Sequence, residues 1–322
     1  MEPVNLSSAA IEDLNMKKIT IVGVGRVGES TAQILAKEEL CREIMLLDIN
    51  EGMPQGVALD IQESAALLRF DTRVNGDTDA AAMEDSDIVI VTAGIPRKPG
   101  MSRSDVLDTN LAVIDDIVDN MLHYAPDAML LMVTNPVDVL TWHAWKKTGW
   151  SRQRVFGQSG ALDTARMATF IALETGYSIK DVSPLVLGGH GDAMVPMTRF
   201  TDIGGINIEH FLSPEAIEGI VERTRKGGGE ILELKKNSSA YDSPAAAIAT
   251  MVDAISHNRR RIMPCVSILD GEYDQHDIAM GVPAVLDETG LIKVIELNLN
   301  EKERSDFQRS AEVVRADINR LS

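Results

Sequence analysis

Three short stretches carry residue types that could move a proton and grip an anion. The first is Gly188-Gly189-His190-Gly191-Asp192, which follows an apolar, strand-like run. Histidine changes charge nearest neutral pH, so it is the natural proton carrier. The glycines around it would let a small molecule come close. The second is Asp163-Thr164-Ala165-Arg166. Residues three apart share one helical face. There the carboxylate could orient a histidine and stabilise its cation, and the guanidinium could clamp a carboxylate as a two-pronged donor. The third is the loop Ile95-Pro96-Arg97-Lys98-Pro99-Gly100-Met101-Ser102-Arg103.

Each stretch also has an ordinary counterpart. Taken alone, His190 suits a hydrogen-bonded loop histidine better than a catalyst. Asp163 and Arg166 suit a surface ion pair, and the cationic loop suits solvent. Against that, these cations gather in an acidic chain, just past the carboxyl end of a central strand. Ligands of open α/β sheets bind there, and a loop punctuated by proline and glycine could close as a lid. The other histidines lie in poorer settings. His143, His210, His257 and His276 have polar or helical neighbours, and His123 ends a helix.

The start of the chain carries a different signature, one for binding a cofactor. Lys18 to Val22 is a β-branched apolar run, and it leads into Gly23-Val24-Gly25-Arg26-Val27-Gly28. That is a buried strand followed by G-x-G-x-x-G and a helical stretch. Gly23 permits the tight turn, Gly25 lets a pyrophosphate approach the backbone, and Gly28 lets the helix pack closely. The helix N-terminus then presents free N–H groups to phosphate. A second strand, Glu43 to Leu47, ends in Asp48, about 20 residues past the last glycine, where a carboxylate meets the adenosine ribose. Strand, glycine turn, helix and acid together point to a dinucleotide.

Composition sets the outer bounds. The 322 residues are 44% hydrophobic and 25% charged, enough for two soluble domains. Net charge is −18, which argues against nucleic acid and anionic membranes as partners but not against an acidic small molecule met by local arginines. No apolar run approaches the roughly 20 residues of a membrane span. Residues 1–16 read as a loose arm, neither signal nor transit peptide. Cys41 and Cys265 lack metal-ligand spacing and suit reduced thiols of a cytoplasmic protein; no metal is expected.

Strands and helices alternate through the first half, the pattern of a doubly wound parallel sheet. Helices are expected at 29–40, 57–68 and 106–124, and strands at 72–74, 87–92 and 129–134. After the last strand, Val155 to Gly157, and a helix at 162–174 the character changes. Short β-like runs at 184–187, 265–269 and 280–285 interleave with helices at 214–236, 244–258 and 300–321. The expected fold is therefore α/β, with an N-terminal Rossmann domain over 17–158 and a C-terminal α+β substrate domain over 159–322.

The stretches GVGRVG, TAGIPRKPGMSR, VTNPVDV, GQSGALDTAR and GGHGDAMVP resemble, in order and spacing, those of the lactate/malate dehydrogenase superfamily. The resemblance is to its lactate-dehydrogenase-like malate dehydrogenases and covers about Met16 to the C-terminus; the leading arm is longer than usual. It implies NAD as cofactor and reversible oxidation of (S)-malate to oxaloacetate, a step of the tricarboxylic acid cycle, by a cytoplasmic homodimer or homotetramer. By resemblance His190 is the acid/base, Asp163 its partner, and Arg166 the carboxylate anchor. Arg103 polarises the substrate carbonyl, and Arg97 selects the substrate. Asn135 meets both substrate and cofactor. Thr92, Gly94, Asn110 and Val133 line the nicotinamide side, with Arg26 and Val27 in the glycine turn. The rivals are a lactate dehydrogenase, differing at position 97, and an NAD-binding protein without turnover. The helix over 57–68 is a candidate interface between subunits.

Overall fold

The computed structural model describes residues 16–95, 103–236 and 238–321, without the side chains of 103–105. In chain order the first half runs β1 (Lys18–Val22), α1 (Arg26–Lys37), β2 (Glu43–Leu47), α2 (Met53–Leu68), β3 (Arg73–Asp77), β4 (Ile88–Val91), α3 (Arg103–Tyr124) and β5 (Met129–Met132). The second half runs α4 (Val137–Thr148), β6 (Val155–Gly157), α5 (Gly160–Thr175), β7 (Val182–Ser183), β8 (Val186–Leu187), β9 (Val195–Pro196), β10 (Asp202–Ile203), β11 (Ile206–Asn207), α6 (Pro214–Lys235), α7 (Asp242–Ser256), β12 (Arg261–Asp270), β13 (His276–Asp287), β14 (Gly290–Val294) and α8 (Glu301–Ile318).

The chain packs as two compact units. The first holds the chain up to Asn135, with 244–261 and 286–290. Its five strands lie parallel in the order β3-β2-β1-β4-β5. Every residue of β4 and β5 is buried, which is why these strands read as unbroken apolar runs rather than alternating ones. Register follows the same logic: Ile19 lies between Ile44 and Ile88, so apolar side chains stack across the sheet. Because the strands are parallel, the turns after β1, β4 and β5 leave from one end of the sheet. Those turns contain Gly23–Gly28, Thr92–Ile95 and Val133–Asn135.

The second unit holds 136–243, 262–285 and 291–322. In it β6 pairs antiparallel with β12 through Gly157 and Val266. Helix α5 packs on α6 around a core of Met167, Ile171, Val186, Met194, Ile203, Ile208 and Ile220. An isolated bridge joins Gly188 to Gly281, tying the end of β8 to β13.

Several elements depart from the sequence reading. Helix α1 runs over 26–37, not 29–40, because it starts at the glycine turn itself. Helix α2 begins at Met53, four residues early, since Pro54 sits in its first turn, where its missing N–H costs nothing. Strand β3 extends to Asp77. The run 184–187 is not one strand. Val182 and Ser183 pair with β10, Val186 and Leu187 pair with β9, and the chain changes sheet between them at Pro184, which has no N–H for a ladder. Strands β9, β10, β11 and β14 have no counterpart among the runs the sequence suggests. No helix among the described residues is long and apolar enough to cross a membrane.

Candidate active site

The proton-transfer candidate is built within the second unit. Asp163 lies in the first turn of α5 and is 2% exposed. Its two oxygens have different partners. Oδ2 lies 2.8 Å from His190 Nδ1, and Oδ1 accepts from Arg166 Nη1 at 3.0 Å. The sequence placed Asp163 and Arg166 on one face; the fold brings the glycine-rich turn to the same carboxylate. This is neither a surface ion pair nor a solvated loop histidine, because the three side chains are only 3%, 12% and 19% exposed for Asp163, Arg166 and His190.

The turn itself is held by its backbone. Gly188 exchanges two hydrogen bonds with Gly281. The Gly189 N–H donates to Ser310 Oγ at 2.9 Å, and the His190 N–H donates to Asp138 Oδ2 at 2.8 Å. Gly188 has φ +88°, and a Cβ there would meet Ser310 Oγ at 2.7 Å, so only glycine fits. Burial works against a charged His190, but the charge and hydrogen bond of Asp163 outweigh it. Arg166 opposes them and Asp138 adds to them, so the imidazole titrates above its ordinary value.

Arg166 reaches its place through a gap in α6. A Cβ on Gly227 would lie 3.1 Å from Arg166 Cδ, and one on Gly228 would lie 3.6 Å from Nη2. Glycines inside a helix cost stability, so Gly227-Gly228-Gly229 was the signal in the sequence that something passes close by. Asp138 and Ser310 were likewise not singled out. They are distant in sequence and meet the turn only in space.

The cofactor candidates lie in the first unit. Gly23 has φ +96°, and a Cβ there would stand 2.4 Å from Ala93 N. Gly28 packs against the Gly23 carbonyl, which a Cβ would meet at 2.1 Å. Over Gly25 there is nothing within 4 Å of a Cβ, and α1 starts there with no side-chain cap. The Arg26–Gly28 turn therefore offers N–H groups and the positive helix end beside open space, a fit for pyrophosphate. Asp48 joins the loops beyond β1 and β2. Its Oδ2 accepts from Val24 N at 2.8 Å, and its Oδ1 accepts from Asn50 N and Nδ2 at 3.0 and 2.7 Å. Two carboxylate oxygens offer about four lone-pair sites, so three donors leave room for a ribose hydroxyl.

Past β4, Gly94 has φ +152°, and a Cβ there would meet Thr134 and Asn110. Thr92 Oγ1 donates to the Gly23 carbonyl at 2.7 Å. The buried Asn110 amide is consumed by the two turns it bridges. Its Oδ1 accepts from Ile95 N at 2.8 Å, and its Nδ2 donates to the Asn135 carbonyl at 2.7 Å. Asn110 thus fixes the turns that carry Gly94 and Asn135, and the Asn135 side chain is left exposed while Val133 is half-buried. Arg97 lies outside the described residues, as does the side chain of Arg103. Cys41 and Cys265 are buried. Burial pushes both thiols up, Cys265 to about 12, which removes them as nucleophiles.

Both halves of the chain match known proteins. Residues 17–157 match the family model described as lactate/malate dehydrogenase, NAD binding domain, and 160–322 match lactate/malate dehydrogenase, alpha/beta C-terminal domain. A malate dehydrogenase of Thioalkalivibrio sulfidiphilus is 62% identical over 95% of this chain and 100% of its own. The solved malate dehydrogenase of Salinibacter ruber superposes with a TM-score of 0.90 at 40% identity, covering 94% of this chain and 97% of that one. A lactate dehydrogenase of Cryptosporidium parvum, solved with lactic acid and nicotinamide adenine dinucleotide, superposes at 0.91 with 35% identity, covering 95% and 98%. With both family models matched end to end over nearly the whole chain, this protein belongs to the lactate/malate dehydrogenase family.

Proposed function

We propose that the protein is an NAD-dependent malate dehydrogenase, interconverting (S)-malate and oxaloacetate. The observation that carries the reading is the hydrogen-bonded chain His190–Asp163–Arg166 on a buried carboxylate. It joins a proton carrier to a carboxylate anchor on one helix. A protein that only bound the cofactor would not require it.

In the oxidative direction neutral His190 takes the proton from the C2 hydroxyl through Nε2, because Nδ1 is committed to Asp163. The cation that forms is stabilised by Asp163 at 2.8 Å. In the reductive direction the same pair returns the proton. Arg166 fixes the carboxylate beside C2 and so aligns the reacting carbon. Arg103 stabilises the charge growing on the substrate oxygen, a contribution that rises toward the transition state. Bound NAD supplies the hydride acceptor, the chemistry the side chains lack. Gly23, Gly25, Arg26, Val27, Gly28 and Asp48 would hold its adenosine and pyrophosphate. Thr92, Gly94, Val133 and Asn135 would face the nicotinamide, with Asn110 behind them.

Residues 17–158 thus take the cofactor and 159–322 the substrate. Arg97 would pair with the second carboxylate of the four-carbon acid. Assembly as a homodimer or homotetramer in the cytoplasm belongs to the same reading. The exposed Leu59, Leu67 and Leu68 of α2 support an interface there. The deciding experiment is steady-state turnover of oxaloacetate and of pyruvate with saturating NADH. Strong preference for oxaloacetate is expected. Preference for pyruvate would make the protein a lactate dehydrogenase, and no turnover of either would leave a cofactor-binding protein.

A further inference from the structure

One buried carboxylate beside the site has no place in the chemistry above. Asp138 lies in the first turn of α4, 4% exposed. Its Oδ2 accepts the His190 N–H, while its Oδ1, equally buried, has no hydrogen-bond partner among the described residues. A backbone N–H could be satisfied by a neutral acceptor at far less cost than a half-satisfied buried carboxylate. Ser310 does that for the neighbouring N–H of Gly189 with a hydroxyl. Two adjacent amides of one turn are therefore held by acceptors of similar reach but different charge, and the charged one serves the residue that carries the proton.

Resting on the acid/base reading of His190, we propose that Asp138 is a positioning residue for that histidine: it pins the His190 backbone and sets a second negative charge behind the imidazole. The ring is then flanked by two carboxylates. Asp163 from α5 acts through Nδ1, and Asp138 from α4 acts through the main chain. Arg166, also on α5, opposes them, and α8 meets the turn with Ser310 and Val314. The influence runs both ways. Burial raises the Asp138 carboxyl, the hydrogen bond from His190 and the imidazolium charge pull it down, and Asp163 pushes it up, leaving it at about 6. By linkage, whatever Asp138 does to the ionisation of His190, His190 does equally to that of Asp138.

The test uses histidine and carboxyl NMR titrations of the full-length protein, with the His190 ring signal assigned by its loss in His190→Asn. In Asp138→Asn the amide oxygen still accepts the His190 N–H but the charge is gone. The ring midpoint is expected to fall by about half a unit or more. Oxaloacetate reduction needs the protonated ring, so its kcat/KM loss should deepen with pH, roughly threefold more at pH 8.5 than at pH 6. A purely structural role would lower kcat equally at every pH and leave the ring midpoint unmoved, and that result overturns the proposal. Should Asp138→Asn fail to fold, His190→Asn carries the same coupling. There the Asp138 carboxyl midpoint must rise, because the cation that lowered it is gone; an unmoved midpoint refutes the proposal. Turnover of His190→Asn tests the acid/base reading separately, since the titrations need no catalysis.

Discussion

His190 Nδ1 lies 2.8 Å from Asp163 Oδ2, and the two residues are 27 positions apart on different elements. The contact commits one ring nitrogen to the carboxylate; on the proposed mechanism the other serves the substrate. It also sets the direction of pH dependence. The folded ring titrates above its ordinary value because Asp163 outweighs burial. On the proposed mechanism, reduction of the keto acid requires the protonated ring. Its kcat/KM should hold level at low pH and fall as pH rises through that raised midpoint. Oxidation of malate should show the mirror image. In Asp163→Asn the attraction is lost and burial wins, so both limbs should move to lower pH. His190→Asn should lose turnover by roughly a hundredfold or more while binding NADH normally. Stopped-flow turnover and NADH fluorescence titration measure the two effects separately. Near-normal turnover in that variant would end the acid/base assignment.

Asp48 accepts the Val24 N–H at 2.8 Å, which fixes its carboxylate beside the glycine turn. An NADP 2′-phosphate would bring like charge to that carboxylate, and no arginine follows directly in Ile49-Asn50-Glu51. NADH should be preferred over NADPH by at least about tenfold in kcat/KM, or about 1.4 kcal/mol. Asp48→Ser should narrow the gap. Equal efficiency of the two cofactors in the parent protein would contradict the ribose role of Asp48.

On the proposed function, Arg97 would decide between a three- and a four-carbon acid. Oxaloacetate carries one more carboxylate than pyruvate, and burying that charge unpaired costs several kcal/mol. A guanidinium fork matches it. With pyruvate bound the same fork would be shut in alone, so one residue both recruits and rejects. Arg97→Gln should cost oxaloacetate roughly a hundredfold in kcat/KM, about 3 kcal/mol, and raise pyruvate efficiency. An unchanged ratio of the two efficiencies would show that Arg97 does not read the substrate.

The elements most legible in the sequence are those whose signal is local. Strands β2 and β6 run over the same residues in sequence and structure, and the glycine turn after β1 leads into α1, which starts three residues earlier than the sequence suggests. Boundaries failed where a residue has two uses. Pro54 punctuates a loop and equally opens a helix, and the change of sheet at Pro184 has no apolar break to announce it. In the site, Asp163 and Arg166 share a helix face, so their pairing was readable. That His190 completes it depended on family motifs, since nothing local links a residue to one 27 positions earlier. Asp138 was hidden for a plainer reason: an acid in the first turn of a helix is ordinary. Only the turn folded against it, 52 residues later, gives it a second meaning.

Gly227 and Gly229 offer a paired test of how Arg166 is placed. Both lie inside α6, where alanine is intrinsically better than glycine by about 1 kcal/mol. They differ in what a methyl group would meet. At Gly229 there is nothing within 4 Å, so Gly229→Ala should stabilise the protein by up to about 1 kcal/mol and leave kinetics alone. At Gly227 the methyl would sit 3.1 Å from Arg166 Cδ and 3.8 Å from Phe170 Cε2, so the arginine stem must shift. A guanidinium that moves by a few tenths of an ångström loses alignment with both Asp163 and the substrate carboxylate. Gly227→Ala should therefore raise the KM for oxaloacetate several-fold and gain little or no stability. Urea unfolding and steady-state kinetics on the two variants give the comparison. If Gly227→Ala is as stable and as active as Gly229→Ala, the gap in α6 does not position Arg166, and the Asp163 contact alone must do so.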